Sequence, residues 1–509
     1  MTLSLDTLRR QAKSLRKAHE RGDAEAAERL RLMAPRPAGE ALRHADYLHV
    51  IAREAGFDSW PRLKFAAETL GLDRAERLQA LRLAVFNGRP WAAEALLADD
   101  PALAEGAPDL AVALYDRAAV EAALAADPGF ARAWIGRRTP MLHLAFSYWF
   151  RARPDLEGEM LAIAELLLAH GADLDEGMPW PDDPGHRLSP LYGAIGHTGN
   201  MALADWLLRQ GANPNDNESL YHATELGHHR ALKLLLAHGA APSGTNALLR
   251  AMDFHDHEAV RLLLAHGARP DDFNPRAVGG AAPAVIPALH QAARRMSDGR
   301  MVALLLEAGA EPGHIWQGAG AYAMARAYGN RALAEALEAR GAATELSREE
   351  RLLAAAAEGS ETGGARLDPK ALPEAFGSLM RELVHLPEKL AHMRRLVALG
   401  LPFDAPDGVD RIPPVQVAGW EGKPEVLAWL LSLGPDLDYV NGYGGTLLST
   451  ILHGAEHCPA RETRDHIACA RLALEAGVAL PRVLIERCGR EDMAEFLVDW
   501  AEARAGAQG

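Results

Sequence analysis

Apolar residues recur three and four apart along most of the chain, the spacing of a helix face, in short runs that glycine interrupts. Two consecutive stretches between Asn217 and Asp272 show this best. In the first, Leu220, Ala223 and Thr224 share one face of a short helix that Gly227 ends. Ala231, Leu232, Leu234, Leu235 and Leu236 then form a second helix, apolar around most of its circumference. Such a helix is not stable alone in water and must be covered by its partner helix and by the next unit. Gly239 stops it, because glycine takes the left-handed conformation without steric cost. The run Leu232 to Ala240 returns, position for position, as Val260 to Ala268. The stop glycines Gly211, Gly239 and Gly267 stand 28 residues apart. A period of roughly 20–50 residues predicts a stacked repeat architecture.

The pattern resembles the ankyrin repeat, a turn followed by two antiparallel helices. Thr139-Pro140-Met141-Leu142-His143 is similar to the family's opening motif, and Ser189-Pro190-Leu191-Tyr192 and Leu289-His290-Gln291-Ala292-Ala293 are partial copies. The Leu-Leu-x-x-Gly-Ala ending is better kept, at Gly171, Gly211, Gly239, Gly267 and Gly309. The resemblance covers roughly residues 75 to 500. It implies an all-α, ankyrin-like helical-repeat solenoid. Units only 28 residues apart are too short for the family's full finger-like turn. By the same resemblance, His143 and His290 bond to neighbouring backbone.

Other stretches depart from the pattern. Residues 1–72 read as a helical N-terminal capping region, with Leu3, Leu5, Leu8, Ala12 and Leu15 on one helix face. Asp23 and then Asp58 or Ser59 are expected to cap later helices, and Glu40 to Ala55 to form one between them. Residues 51–64 resemble a helical leader found ahead of ankyrin repeats in some bacterial proteins. Residues 75–133 read as degenerate helix pairs, where Asp100-Pro101 and Asp127-Pro128 replace the stop glycine. Residues 134–343 resemble ankyrin repeats, with an insertion, Phe146 to Asp155, expected to lengthen an inner helix and its loop. Residues 344–504 read as divergent ankyrin-like repeats with a C-terminal cap ending at Trp500.

Composition narrows the function. Of 509 residues, 49% are apolar and 6% aromatic, and the formal charge is −15. That charge argues against sequence-independent nucleic-acid binding and against docking on anionic membranes, and is compatible with a protein partner that carries a basic patch or with plain solubility. Three cysteines, Cys458, Cys469 and Cys488, do not make a disulfide framework and suit a reducing interior. No apolar run approaches the ~18 residues of a membrane span, so a cytoplasmic monomer is expected.

Candidate chemistry is sparse. His255-Asp256-His257-Glu258 has metal-ligand residue types, but it falls where the family turns between helices. His170, His238 and His266 recur ahead of the stop glycines, where they suit a helix C-terminus. Cys458 near His453 and His457 lacks a third orienting group. No phosphate loop or dinucleotide fingerprint is present. No metal, cofactor or catalytic residue is therefore assigned. What remains is surface. The family resemblance places Gly193, His197, His222, Glu225, Arg250, Asp253, Phe254, Gln291, Arg294, Arg295, Trp420 and Glu421 on the inner-helix face. The partner-binding residues expected are His222, Glu225, Arg250, Asp253, Phe254, Arg294 and Trp420. Tyr148, Trp149 and Trp180 of the inserted segments join them, with the acidic Asp182 and Asp183. The expected function is non-catalytic binding of a partner protein. The rivals are a hydrolase or metal-binding enzyme using the His/Asp-rich loops, testable by metal analysis, and a self-assembling scaffold, testable by light scattering.

Overall fold

The computed structural model describes residues 4–32, 42, 44–179, 185–272, 286–406 and 410–507. It is an all-α fold of short helix pairs. Two compact units divide it, Met1–Val285 and Ile286–Gly509.

In the first unit, helices Leu5–Glu20, Ala24–Arg29, His44–Glu54 and Trp60–Thr69 come first. Asp23 caps the second as expected, accepting from the Ala26 amide at 3.0 Å. At the fourth, Ser59 occupies the cap position but its hydroxyl makes no capping bond, and Asp58 instead pairs with Arg53 at 2.9 Å. The proline in the first turn suffices there, since its missing N–H needs no partner. The third helix starts at His44, and residues 40, 41 and 43 lie outside the described set.

Helix pairs follow through to Ala265. The glycine stops are built alike. Gly171, Gly211, Gly239 and Gly267 all take positive φ, between 85° and 96°. The amide of the alanine after each reaches the carbonyl five residues back, as in Ala240 to Leu235 at 3.0 Å. Each such alanine is buried. The Gly-Ala pair therefore closes the helix and turns its last residue into the core. Where proline replaces glycine, Asp100 and Asp127 leave the helix extended, as the preceding-residue clash with proline requires.

The insertion does not lengthen its inner helix. Pro140–Ala145 stops at six residues, and the inserted chain folds into two 3₁₀ turns, Trp149–Arg151 and Pro154–Leu156. Ser147 accounts for the stop: its hydroxyl donates to the Ala113 carbonyl at 2.6 Å and accepts from the Trp149 amide at 3.1 Å, bending the chain away. Between Gly171 and Pro190, Met178–Pro179 pairs antiparallel with Arg187–Leu188, two residues to a strand. Among the described residues between Gly211 and Gly267, where units are shortest, there is no strand.

The second unit carries pairs from Ala288–Arg294 to His466–Glu475, a hairpin at Ile315–Trp316 with Ala319–Gly320, and a last helix Glu491–Ala507 that runs past Trp500.

Candidate functional site

Five first helices of the first unit, Arg74–Phe86, Pro140–Ala145, Pro190–Tyr192, Ser219–Ala223 and Ala247–Asp253, deliver an aromatic or histidine side chain at or near their C-terminal ends, and these side chains follow one another in contact. Phe86 ends the helix Arg74–Phe86, Phe146 closes Pro140–Ala145, and Pro190–Tyr192 runs on into a π-turn over Gly193–His197. His197 lies 4.5 Å from Phe86 and 5.0 Å from Phe146, centroid to centroid. Tyr192 continues the contact from Phe146 to His222, at 6.0 and 5.0 Å, and Tyr221 meets His222 at 5.1 Å. Arg250 then spans Tyr221 and Phe254, at 5.6 and 4.7 Å from their centroids. Two glycines permit this closeness. A Cβ on Gly193 would stand 2.7 Å from the Phe146 ring, and one on Gly196 would stand 2.5 Å from Tyr192 and 2.9 Å from the His222 Cβ.

Charge runs beside the rings. His222 Nδ1 bonds Glu225 Oε2 at 2.6 Å, and its Nε2 lies 3.3 Å from the buried Glu218. His186 Nε2 approaches Glu218 from the other side at 3.0 Å. Glu225 accepts from Arg250 Nε at 2.7 Å, and Arg250 reaches Asp253 at 3.2 Å. Burial by itself would lower the His222 pKa, but the two glutamates more than reverse that and raise it to about 9. Burial would raise Glu225, yet His222 and Arg250 hold it below the usual carboxylate range. Burial pushes His197 down to about 4, so at neutral pH it is an uncharged ring whose Nε2 donates to the Phe86 carbonyl at 2.9 Å.

Five residues singled out in the sequence thus come together: His222, Glu225, Arg250, Asp253 and Phe254. Phe254 is the one that faces solvent, 49% exposed, with the guanidinium of Arg250 on its ring. His222 shows only an edge. Tyr148 is half-buried and donates its hydroxyl to the His197 carbonyl, so it stands beside the ring series. Trp149 is buried and offers a partner no surface. Trp180, Asp182 and Asp183 lie outside the described residues. Asp216 is used internally, accepting from the Glu218 and Ser219 amides and from the hydroxyls of Ser189 and Ser219.

Arg294 and Trp420 belong to the second unit. Arg294 is buried, bonds Gln291 at 2.7 Å and lies 3.9 Å from the buried Glu382. Burial would raise Glu382, but Arg294 and Arg295 hold it at about 2. Trp420 is half-buried against His453, at 5.1 Å.

The sequence reading missed Phe86, Phe146 and Tyr192. Their signal was position: each lies at or beside the end of a first helix, as Phe254 does.

Several histidines outside this series hold backbone. His143 donates to the Ile135 carbonyl at 3.0 Å, tying its helix to the turn before it, and His290 donates to the Ala319 carbonyl at 3.1 Å, tying its helix to the hairpin of the next pair. His170 and His266 bond the carbonyl four residues back, at 2.8 Å. Asp256 caps His257–Ala265 and pairs with His229 at 2.8 Å, while Glu258 pairs with Arg261. Cys458 and Cys469 are buried free thiols, Cys469 pushed up to about 12 by burial. Among the described residues no three histidine, cysteine or acidic side chains are grouped to hold a metal ion, and no helix is long and apolar enough to cross a membrane.

A file of helix pairs closed by Gly-Ala, with the first helices lining one face, defines a helical-repeat protein. Residues 191–274, which contain the exposed end of the ring series, match the family model "Ankyrin repeats" in three copies. The human ASB11 ankyrin repeat domain is similar at 19% identity, over 52% of this chain and 98% of that one, with a TM-score of 0.22. No curated protein matches the chain.

Proposed function

We propose that the chain is a non-catalytic scaffold that binds a partner protein through the first-helix face of its first unit, centred on Phe254. Ankyrin repeats generally mediate protein–protein interaction, and this segment carries three of them. The observation that carries the reading is the Arg250–Phe254 pair. An exposed aromatic ring is stacked by an arginine that Glu225 and Asp253 already hold in place. Aromatic and arginine side chains dominate binding hot spots, and a prearranged pair loses little conformational freedom when a partner arrives. The −15 formal charge favours a partner with a basic patch. The protein acts as a cytoplasmic monomer, its buried thiols suited to a reducing compartment. Residues 1–72 cap the N-terminal end of the repeats.

The test compares proteins captured from cell lysate by the wild type, Phe254→Ala and Arg250→Ala. Both variants should lose the same captured partner, and Phe254→Ala should do so while unfolding at wild-type temperature. Unchanged capture by both would refute the placement.

A further inference from the structure

A cavity of about 70 Å³ opens in the first unit, lined among others by Arg82, Phe86, Asp109, Arg138, His143 and Phe146. Its charges are not matched. Asp109 is taken up by Arg82, whose Nε and Nη2 reach it at 2.6 and 3.1 Å. Arg138 has no carboxylate partner among the described residues. Its guanidinium lies 3.9 Å from the Phe86 centroid and 5.5 Å from that of Phe146, and its Nε is buried without a hydrogen-bond partner. His143 supplies no negative charge: its Nε2 donates to the Ile135 carbonyl, and burial lowers its pKa so that the ring is neutral. Burial lowers the Arg138 pKa to about 10, which leaves it a cation at neutral pH. A buried donor on a charged group is costly to leave unmade, and nearly every such group in a folded protein finds a partner.

We infer that this cavity binds a planar, singly charged carboxylate on a short stem, with Arg138 as its ion-pair partner. The guanidinium fork presents parallel N–H donors that match the two oxygens of a carboxylate. The Phe86 and Phe146 rings already pack against that fork. Asp109 on the same wall disfavours a doubly charged ligand such as phosphate, whereas one carboxylate neutralises Arg138. The volume admits the carboxylate and one or two methylenes. This site does not depend on the surface proposed around Phe254. Its ligand is either a small free acid or the side chain of an acidic residue in a peptide.

The test uses the full chain with ¹⁵Nε-labelled arginine. The Arg138 resonance is the one lost in Arg138→Gln. Sodium acetate is titrated against sodium chloride at constant ionic strength, and an acetylated, amidated Gly-Glu-Gly peptide against its Gly-Gln-Gly counterpart. Acetate should shift the Arg138 Nε–H saturably and chloride should not. Arg138→Lys, which keeps the charge and loses the fork, should weaken binding at least tenfold. Binding of the glutamate peptide tighter than acetate identifies an acidic side chain as the ligand, and equal or weaker binding identifies a small acid. An unsaturable shift, the same shift with chloride, or acetate binding unchanged in Arg138→Lys would overturn the assignment.

Discussion

Two stretches of the first unit, residues 5–69 and 190–268, bury similar side chains in different ways. In the first, Leu8, Leu15, Tyr47, Leu48, Ile51, Trp60 and Leu63 pack into one cluster drawn entirely from those four helices. An aromatic link to the following helices is Phe65 edge-on to Trp91 at 5.4 Å, with Arg62 beside the same indole at 5.7 Å. In the second, no pair has such a core. Arg230–Ala237 buries Ala231, Leu232, Leu235 and Leu236, and it packs on the second helix of the preceding pair. Ser219–Ala223 packs on the first helices before and after it. Where a segment satisfies itself it needs no neighbour. Where each unit is covered by the next, the file grows along one axis and leaves the other face of its helices free.

The largest effect that separates these regions is a core truncation. Leu48→Ala and Leu235→Ala should each cost about 2–5 kcal/mol, since both side chains are fully enclosed. Hydrogen exchange should then distinguish them. Faster exchange from Leu48→Ala should stay within residues 5–69, and that from Leu235→Ala should spread into Met201–Arg209. Equal spreading would erase the difference between the two kinds of core.

Gly196→Ala should come next, at about 1–3 kcal/mol, because its methyl must displace Tyr192 and His222. Ring-current shifts around His222 should be lost with it, while the signals of residues 5–69 stay in place.

The pH dependence comes last. The folded pKa of His222 is raised to about 9 above its ordinary 6.5, so its stabilisation is complete below pH 6.5 and is lost as pH rises through 9. Glu225 has the opposite sign: its depressed pKa stabilises above 4.5 and is lost as pH falls below that. The repeats should weaken by about 1–3 kcal/mol between pH 6.5 and 9.5, measured by denaturant unfolding, and His222→Gln should flatten that slope.

Much of this was legible in the sequence, and the reason is local. The Gly-Ala stop is a backbone requirement within six residues, so it shows at Gly211, Gly239 and Gly267 without any structure. The group His222, Glu225, Arg250, Asp253 and Phe254 lies within two adjacent units, so aligning them brought it together. The rings that extend it were hidden by distance. His197 meets Phe86 across 111 residues, through a π-turn and an insertion that no periodicity marks. Trp149 was misplaced for the same reason: Ser147 turns it inward by bonding Ala113, 34 residues earlier. Nothing in the sequence marks Arg138, because only packing shows that no carboxylate among the described residues meets it.

The central claim is that the face around Phe254 receives another protein. A photo-reactive amino acid placed at Phe254, and separately at Lys233 on the exposed side of Arg230–Ala237, tests it most directly. Illumination in cells should join a distinct protein to the Phe254 position and leave Lys233 unlinked. Identical products at both positions, only a dimer of the chain itself, or no product at Phe254 would contradict it.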